Sequence, residues 1–249
     1  MCAELGNPIA KNLSARSFAI YRGKRLDTGL TPKTLNNELT YLLAVYNGMA
    51  KIGELDYPCP LAKVTKLKQQ ERELHYLTCE QIAELRRATR HSKDPARLLA
   101  IIDLCLATGA RWGEAESLTP TQVGADRVTY ARTKSKKNRS VQIAPELAAR
   151  IRPLLPFGSK LDAFDKVLRK CSFSLPRGQS SHVLRHTFAS HFVMDGGNLL
   201  ALQRILGHSE ITMTMRYAHL SPDYAKEAVT FNPLNKLGQY MDNPENSYP

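Results

Sequence analysis

The sequence predicts a mainly α-helical protein with a small β-hairpin, divided into a small helical domain and a larger domain that is also mostly helical. Apolar residues recur every three or four positions over several long stretches, which is the spacing of a buried helix face. One pair of strand-like segments interrupts these stretches. A basic segment with few apolar groups separates two helical regions. We therefore expect two domains joined by a linker.

Residues 1–60 form the first predicted domain, which contains two helices. Ser14 is a typical N-cap for a helix that runs to about Arg25. Thr31-Pro32 begins a longer helix, because proline is favoured in the first helical turn. This second helix has one apolar face, which we expect to be buried. The face consists of Leu35, Leu39, Leu42, Leu43, Tyr46 and Met49.

Residues 61–77 are predicted to be the interdomain linker. They follow two prolines, Pro58 and Pro60, and they contain few apolar groups with no strong period. The linker is basic enough to lie along a phosphate backbone. Three of its residues are DNA-binding candidates: Lys63, Lys66 and Lys68.

Residues 78–249 form the second predicted domain. Thr78 begins it as an N-cap, and Gln81 completes a capping box. Asp94-Pro95 starts a helix with a long apolar run, and Gly109 ends that helix. Further helices are expected at about residues 145–155, 161–171, 181–194, 199–206, 210–219 and 222–229, followed by a polar tail at 240–249.

The predicted β-hairpin has strands at residues 127–133 and 140–144. From Arg127 to Arg139 there are six basic residues and no acidic one. Such a run is either a solvated turn or a hairpin tip that enters a DNA groove, and the sequence leaves both interpretations open. The DNA-binding candidates here are Arg132, Lys136, Lys137 and Arg139.

The formal net charge of +12 favours a polyanionic partner, with nucleic acid ahead of a membrane surface. Residues 1–75 hold 11 basic and 7 acidic side chains, and the remainder holds 24 and 16, so both domains are basic. No apolar stretch approaches the ~18 residues of a membrane span, and the N-terminus lacks the order of a secretory signal. Five scattered cysteines include no CxxC pair. We therefore expect a cytoplasmic protein without disulfides or a zinc site.

The signatures of several enzyme classes are missing. The sequence contains no P-loop, GxGxxG, HExxH or GxSxG motif, which argues against nucleotide hydrolysis, dinucleotide redox chemistry, zinc proteolysis and serine hydrolysis. It also contains no carboxylate cluster of the kind that two-metal nucleases use. We expect neither a metal ion nor a cofactor.

The polar residues that could carry chemistry lie in the second domain. Arg111 follows a predicted helix end, and His182 and Arg185 are three positions apart on one predicted helix, so they share a face. His208 follows another helix end, and Tyr217 lies nine residues further on. Taken singly, each has a structural explanation: a surface ion pair, a chance HxxR spacing, or a tyrosine at the edge of a core.

In combination, these motifs resemble the tyrosine recombinase family, the phage-type integrases. The resemblance covers about residues 78–220, and the first domain resembles the family's core-site-binding domain in pattern and position only. The matching stretches are Thr-Gly-Ala-Arg-Trp-Gly-Glu-Ala (108–115), the Lys134 hairpin, His-Val-Leu-Arg-His-Thr-Phe-Ala-Ser-His (182–191), Leu-Gln-Arg-Ile-Leu-Gly-His-Ser (202–209) and Met-Arg-Tyr-Ala-His (215–219).

The resemblance implies a site-specific recombinase that cuts and rejoins DNA through a 3′-phosphotyrosine, with strand exchange through a Holliday junction. It assigns Tyr217 as the nucleophile, and Arg111 and Arg185 as the pair that binds the scissile phosphate. These residue types suit the chemistry. A phenol with an ordinary pKa near 10 must lose its proton on attack, and guanidinium groups stay charged while they bind the phosphate oxygens.

The resemblance also assigns Lys134 as the general acid that protonates the departing 5′-oxygen, since an ammonium is a transferable proton source. Lys136 and Lys137 remain alternatives for this role, and we prefer Lys134 because it begins the turn. Three further residues receive supporting roles: His182 and His208 in proton transfer or hydrogen bonding, and Glu114 in orienting its neighbours.

The partners implied by the resemblance are double-stranded DNA, a homotetramer assembled on that DNA, and DNA-bending accessory proteins, all in the cytoplasm or nucleoid of a bacterial host. The first domain is shorter than is usual in the family, so we expect an N-terminus that is truncated or lacks an arm-binding domain. Two alternatives stay open. One is a non-catalytic DNA-binding or architectural protein with the same fold, and the other is nicking and closing of the type IB topoisomerase kind.

Overall fold

The computed structural model describes residues 3–68, 74–131, 138–176, 178–222 and 233–234. The chain divides into two compact units, Met1–Glu73 and Leu74–Pro249. The described residues are mostly helical, with a single two-stranded sheet in the second unit. The predicted fold class is therefore confirmed. Within these described ranges, no helix is both long enough and apolar enough to cross a bilayer.

The first unit contains two helices that begin where the sequence predicts. Ser14 and Thr31 are their N-caps, and each hydroxyl accepts the backbone N–H three residues further on. The predicted apolar face of the second helix is buried at Leu35, Leu39 and Tyr46, but Met49 is exposed. The helices are α1 (Ala15–Asp27) and α2 (Pro32–Lys51), and short 3-10 turns precede them at Ala3–Leu5 and Ala10–Asn12.

The segment predicted as a linker, residues 61–77, is divided between the two units. Leu61 is fully buried in the first unit. The side chain of Asn36 exchanges two hydrogen bonds with the backbone of Leu67, at 2.8 and 2.9 Å. Leu77 is fully buried in the core of the second unit. The start of this segment is therefore held in the first unit by Leu61 and by the hydrogen bonds of Asn36, and its end is held in the second unit by Leu77. Its sequence has no strong hydrophobic periodicity that would predict this packing.

The second unit contains one helix that the sequence analysis did not predict, Trp112–Glu116, directly after Arg111. The predicted helix at 210–219 is instead a short helix followed by a 3-10 turn. Of the predicted helix at 222–229, only residue 222 is described, and the tail at 240–249 lies outside the described residues. The helices of this unit are α3 (Cys79–Ala88), α4 (Pro95–Thr108), α5 (Trp112–Glu116), α6 (Pro145–Ile151), α7 (Leu161–Leu168), α8 (His182–Met194), α9 (Leu199–Leu206) and α10 (Thr212–Met215), with 3-10 turns at Thr89–His91, Pro120–Gln122, Arg152–Leu154 and Ala218–Leu220.

The predicted hairpin is present, with strands shorter than expected. Strand β1 (Arg127–Tyr130) pairs antiparallel with β2 (Arg139–Gln142). In this register Tyr130 lies directly opposite Arg139. Residues 132–137, between the two strands, lie outside the described part of the chain. Lys134 and three DNA-binding candidates, Arg132, Lys136 and Lys137, are among these residues.

Helix α4 lies at the centre of the second unit and packs against α8. Its apolar run is buried as the sequence predicts, since Ile101, Leu104 and the residues between them have almost no exposed surface. The helix ends at Gly109, which has a left-handed φ of +62°. A Cβ at Gly109 would lie 2.5 Å from the side chains of Leu206 and Phe188. Glycine therefore lets α8 and α9 approach the end of α4, next to Arg111.

Candidate active site

Arg111 is held in place by Glu114, which lies one helical turn further on. Arg111 is the N-cap of α5, and its backbone N–H donates to Glu114 Oε2 at 2.9 Å. Its guanidinium Nη1 donates to Glu114 Oε1, also at 2.9 Å. One carboxylate therefore fixes both the backbone and the head group of Arg111, whose side chain remains 26% exposed. This exposure leaves the guanidinium accessible to a ligand.

Arg185 is held by two backbone carbonyl groups. Its guanidinium donates from Nη1 to the carbonyl oxygen of Gly109 at 2.7 Å and from Nη2 to that of Leu206 at 2.8 Å. Both acceptors are at helix C-termini, where carbonyl groups lack partners within the helix. A guanidinium has five N–H donors, so these two bonds leave further donors for an anion. The residue is 4% exposed, so burial holds its head group in one position.

Arg139 joins the hairpin to both of these groups. It donates from Nη2 to Glu114 Oε2 at 2.8 Å and from Nη1 to the Leu206 carbonyl oxygen at 2.9 Å. Its guanidinium also lies over the Tyr130 ring, 4.8 Å from the centroid. The side chain is only 7% exposed. This internal position differs from the surface DNA contact that the sequence analysis predicts for Arg139.

The alternation of β2 explains why Arg139 points inward. Arg139, Val141 and Ile143 are buried, whereas Ser140 and Gln142 between them are exposed. Side chains two positions apart share a face of a strand. Val141 and Ile143, which follow Arg139 at this spacing, are therefore a sequence signal that Arg139 is buried. The run of basic residues before Arg139 instead indicated an exposed position.

His208 follows the C-terminus of α9. Gly207 ends that helix in the left-handed conformation, with φ +68°, and so turns the chain toward the site. The Nδ1 atom of His208 is 2.8 Å from the hydroxyl oxygen of the buried Thr214. The partly buried imidazole is thus fixed by a residue of α10, only three positions before Tyr217.

Tyr217 lies just after α10 and is 3% exposed. Its ring packs in a cluster of apolar side chains that includes Ala189 of α8 and Leu206 of α9. The phenol oxygen is 2.7 Å from Nδ1 of His186, which is the residue directly after Arg185. The sequence analysis did not select His186, because its contact with Tyr217 joins residues 31 positions apart.

His182 is the first residue of α8 and is exposed to solvent. It lines a cleft of about 520 Å³ together with Arg111 and Tyr130. Its ring centroid is 6.4 Å from that of His186, one turn further along the helix. Arg111 and His182 therefore both line an open cleft, whereas Tyr217 is buried.

The electrostatics of the site follow from burial and from an excess of positive charge. Burial lowers the pKa of Arg185 to about 10, and repulsion by Arg111 and Arg139 adds to this effect. Burial on its own raises the pKa of the Glu114 carboxyl, but the Arg111 backbone N–H and the Arg139 charge more than offset it, so the net shift is downward. Glu114 is therefore ionised at neutral pH.

Two histidines of the site, His186 and His208, are partly buried and neutral at pH 7. Burial lowers the pKa of His208 to about 4, and the charge of Arg185 contributes further. Burial likewise lowers the pKa of His186 to about 4, with Arg216 as the next cause. Burial raises the pKa of the Tyr217 phenol, and the charges of nearby arginines only partly oppose this. The phenol is therefore protonated.

The structure thus brings together Arg111, Glu114, Arg185 and His208, with His182 in the adjoining cleft and Tyr217 on the far side of His186. In the first unit, the three lysines chosen from the predicted linker are exposed to solvent: Lys63, Lys66 and Lys68. Among the residues that the structure describes, no group of three or more His, Cys, Asp or Glu side chains is placed to hold a metal ion.

Two family models match the chain. Residues 1–68 match the model described as Phage integrase, N-terminal domain, and residues 75–168 and 161–223 match the model described as Phage integrase family. These matches follow the division of the structure into two units.

Known proteins with similar sequences and structures include phage and transposon integrases. The integrase of Escherichia phage 186 is 43% identical over 243 residues, which are 92% of this chain and 72% of that protein. The solved catalytic domain of the bacteriophage HP1 integrase is 48% identical, with a TM-score of 0.60 over 66% of this chain and 98% of that domain. The Tn1549 transposon integrase, solved in complex with a circular intermediate DNA, has the same fold over 92% of this chain and 87% of its own, with 18% identity and a TM-score of 0.67.

Proposed function

The chain belongs to the phage integrase family and is a site-specific tyrosine recombinase, and from this premise we propose how its residues act on DNA. Tyr217 is the nucleophile that attacks the scissile phosphate. Arg111 and Arg185 bind that phosphate. His182 and His208 donate or accept hydrogen bonds beside it.

One observation carries this proposal: two guanidinium groups contact a single carboxylate, and a third shares a carbonyl acceptor with one of them. Arg111 and Arg139 both contact Glu114, and Arg185 shares an acceptor with Arg139. The three positive charges exceed the one negative charge. Burial is the main reason that the pKa of Arg185 is lowered, and the mutual repulsion that adds to this effect is relieved when an anion binds. A DNA phosphate supplies that negative charge, and its pentacovalent transition state supplies more.

In the attack step, the Oη atom of Tyr217 forms a bond to phosphorus while the bond to the 5′-oxygen breaks. The phenol is protonated before the attack, and its proton passes to the exposed imidazole of His182 or to water. The nonbridging oxygens then gather negative charge, which the guanidinium donors of Arg111 and Arg185 stabilise. Neutral His208 can donate from Nε2 to the same oxygens when its Nδ1 accepts from Thr214.

The departing 5′-oxygen needs a proton, because an alkoxide is a poor leaving group. We keep Lys134 as the proposed donor, with Lys136 and Lys137 as alternatives, on the strength of the family resemblance. The 3′-phosphotyrosine retains the energy of the phosphodiester, so a second 5′-hydroxyl can displace Tyr217 and rejoin the strands without nucleotide hydrolysis.

The assembly that completes recombination is also part of the proposal. Four protomers act on two DNA sites in the cytoplasm of a bacterial host, and accessory proteins bend the DNA between them. The exposed lysines of the first unit, Lys63, Lys66 and Lys68, supply phosphate contacts that weaken as salt rises. The basic turn residues Arg132, Lys136 and Lys137 are proposed to contribute in the same way.

The test is covalent trapping on a pool of nicked duplexes that carry randomised sequence, where release of a short fragment prevents rejoining. The wild type should form an adduct that survives denaturation in SDS, also in the presence of EDTA. Tyr217→Phe should form none. Tyr76→Phe, which removes a hydroxyl elsewhere in the same unit, is the matched control and should behave like the wild type. An adduct with Tyr217→Phe would refute the assignment of the nucleophile.

A further inference from the structure

We propose that His186 is the positioning residue of the nucleophile: its Nδ1 atom accepts the hydrogen bond of the Tyr217 phenol and fixes the orientation of the reacting oxygen. This inference rests on the proposed role of Tyr217. It adds to the site a residue of α8 that acts through the tyrosine, without contacting the phosphate.

The contact is short and protected from water. The phenol oxygen and His186 Nδ1 are 2.7 Å apart, with ring centroids 6.1 Å apart and ring planes inclined at 45°. Tyr217 is 3% exposed, so its hydroxyl cannot satisfy its hydrogen bond with bulk solvent. Removal of the imidazole acceptor would therefore leave a buried polar group to find another partner.

The two partners differ in how firmly their backbones are held. His186 is in the middle of α8, a 13-residue helix, between the buried residues Arg185 and Thr187. Tyr217 follows α10, which has only four residues, and its backbone N–H bonds to the Thr214 carbonyl at 3.0 Å. A long packed helix is a more rigid support than a short helical turn. The imidazole therefore ties the phenol to the helix that also carries Arg185.

The chemistry of the pair gives the direction of the hydrogen bond. A phenol is a better donor than acceptor, whereas the unprotonated nitrogen of an imidazole is a good acceptor. Burial, with the nearby charge of Arg216, lowers the pKa of His186 to about 4, so the ring is neutral at pH 7 and one nitrogen can accept. Tyr217 therefore donates to Nδ1, and the imidazole proton is on Nε2.

The environment of the pair indicates that His186 positions the Tyr217 phenol and does not deprotonate it. Burial raises the pKa of Tyr217 while it lowers the pKa of His186, so both groups favour the neutral hydrogen-bonded pair over an ion pair. The proton stays on the phenol oxygen while no phosphate is bound. His186 thus holds the oxygen in a defined direction and does not generate a phenolate.

The first experiment observes the contact without any DNA. Long-range ¹H–¹⁵N NMR on the full chain resolves the tautomers of its seven histidines. His186→Asn assigns the signal of interest, and His191→Asn, on the same helix, is the matched control. We expect a neutral ring with its proton on Nε2, and a shift of its Nδ1 resonance in Tyr217→Phe. A proton on Nδ1, or a resonance that Tyr217→Phe leaves unchanged, would overturn the proposal.

The second experiment measures the rate of adduct formation on a nicked duplex that the wild type traps. An asparagine amide oxygen can replace Nδ1 as an acceptor but cannot take up a proton. His186→Asn should therefore stay within about fivefold of the wild type, and His186→Leu should be slower by about 10- to 100-fold, since it leaves a buried donor unsatisfied. Thermal unfolding of each variant shows whether it is folded. Equal loss in the asparagine and leucine variants, or no loss in the leucine variant, contradicts positioning.

The two experiments also separate this inference from the proposed function. If the wild type forms no adduct on any duplex in the pool, the proposed function fails, and the NMR measurement still decides whether His186 accepts from Tyr217. If the adduct forms and the NMR signal shows no contact, only the inference about His186 fails.

Discussion

Arg139 and Arg185 donate hydrogen bonds to the same acceptor, the carbonyl oxygen of Leu206, at 2.9 and 2.8 Å. This carbonyl belongs to the last residue of α9, where the helix dipole is negative and no partner within the helix remains. Two like charges can share this oxygen because Glu114 neutralises Arg139 from the other side. The Leu206 carbonyl group thereby connects the hairpin and α8 to the end of α9, just before His208.

Arg139→Leu should destabilise the second unit strongly. The substitution removes the charge partner of one oxygen of the partly buried Glu114 carboxylate, and breaking such a largely buried pair costs about 3 kcal/mol. Urea unfolding checks this expectation. Arg127→Ala is the matched control on the same hairpin, because its ion pair with Asp126 is exposed to solvent and should contribute little to stability.

The same variant distinguishes the two interpretations of Arg139. If Arg139→Leu kept its stability and instead lost DNA affinity with a smaller salt dependence, the surface contact predicted from the sequence would be correct. The structure favours loss of stability, since the guanidinium of Arg139 is enclosed by Glu114, Leu206 and Tyr130.

Arg185→Lys should abolish most of the catalytic activity while the fold is retained. Lysine keeps the positive charge but cannot reproduce the planar fork that reaches the Gly109 and Leu206 carbonyl groups and still offers donors to a phosphate. Loss of a preorganised donor to the transition state typically costs roughly 10²- to 10³-fold in rate. The loss in Arg185→Lys is measured as the rate of covalent adduct formation on a nicked duplex that the wild type traps.

A matched control for this variant is Arg97→Lys. Arg97 also donates to a backbone carbonyl, that of Leu154 at 2.9 Å, but it has no part in the proposed site. Its substitution should leave the adduct rate within about twofold of the wild type. If both lysine variants were equally impaired, the loss in Arg185→Lys would reflect general destabilisation of the domain.

Much of this structure is predictable from local sequence signals. The caps Ser14, Thr31 and Thr78 define helix starts, and Gly109 and Gly207 define helix ends, because each depends on neighbours within a few residues. The order of motifs then locates the candidate site residues along the chain.

The contacts between distant residues were not predictable in the same way. The partner of Tyr217 is 31 residues away, and Glu114 contacts an arginine 25 residues away. Such contacts depend on how helices pack, which local periodicity does not determine. The contacts at the start of the predicted linker are of the same kind, since Leu61 and Asn36 act through tertiary packing and hydrogen bonds that composition does not reveal.

Glu114→Gln should lower both stability and the adduct rate. Glutamine keeps a similar shape, but it removes the negative charge that pairs with Arg111 and Arg139, so the repulsion among these two arginines and Arg185 is less opposed. We expect a loss of roughly 1–3 kcal/mol in unfolding free energy. Glu146→Gln, at the start of α6, is a control at an exposed site. Unchanged stability of Glu114→Gln would show that the carboxylate charge does not organise the arginines.

Acid should destabilise the second unit between about pH 6.5 and 4, and His186 and His208 should cause part of that loss. Both have an ordinary pKa of 6.5, which the fold lowers to about 4, chiefly through burial. Between these two values the unfolded chain binds more protons than the folded chain, so stability falls as the pH falls. Their contribution is complete above pH 6.5, decreases through this window and is lost once the pH is below about 4.

The decrease in Tm between pH 7 and pH 5, measured by thermal unfolding, tests this linkage. Each kcal/mol of lost stability lowers Tm by roughly 2–4 °C in a chain of this size. His208→Asn and His186→Asn remove the titrating ring and should each show a smaller decrease than the wild type, whatever their stability at pH 7. His219→Asn alters an exposed histidine and should show the wild-type decrease. An equal decrease in all four proteins would mean that burial does not disfavour protonation of His186 or His208. The roles proposed for both residues require the neutral ring and would then be contradicted.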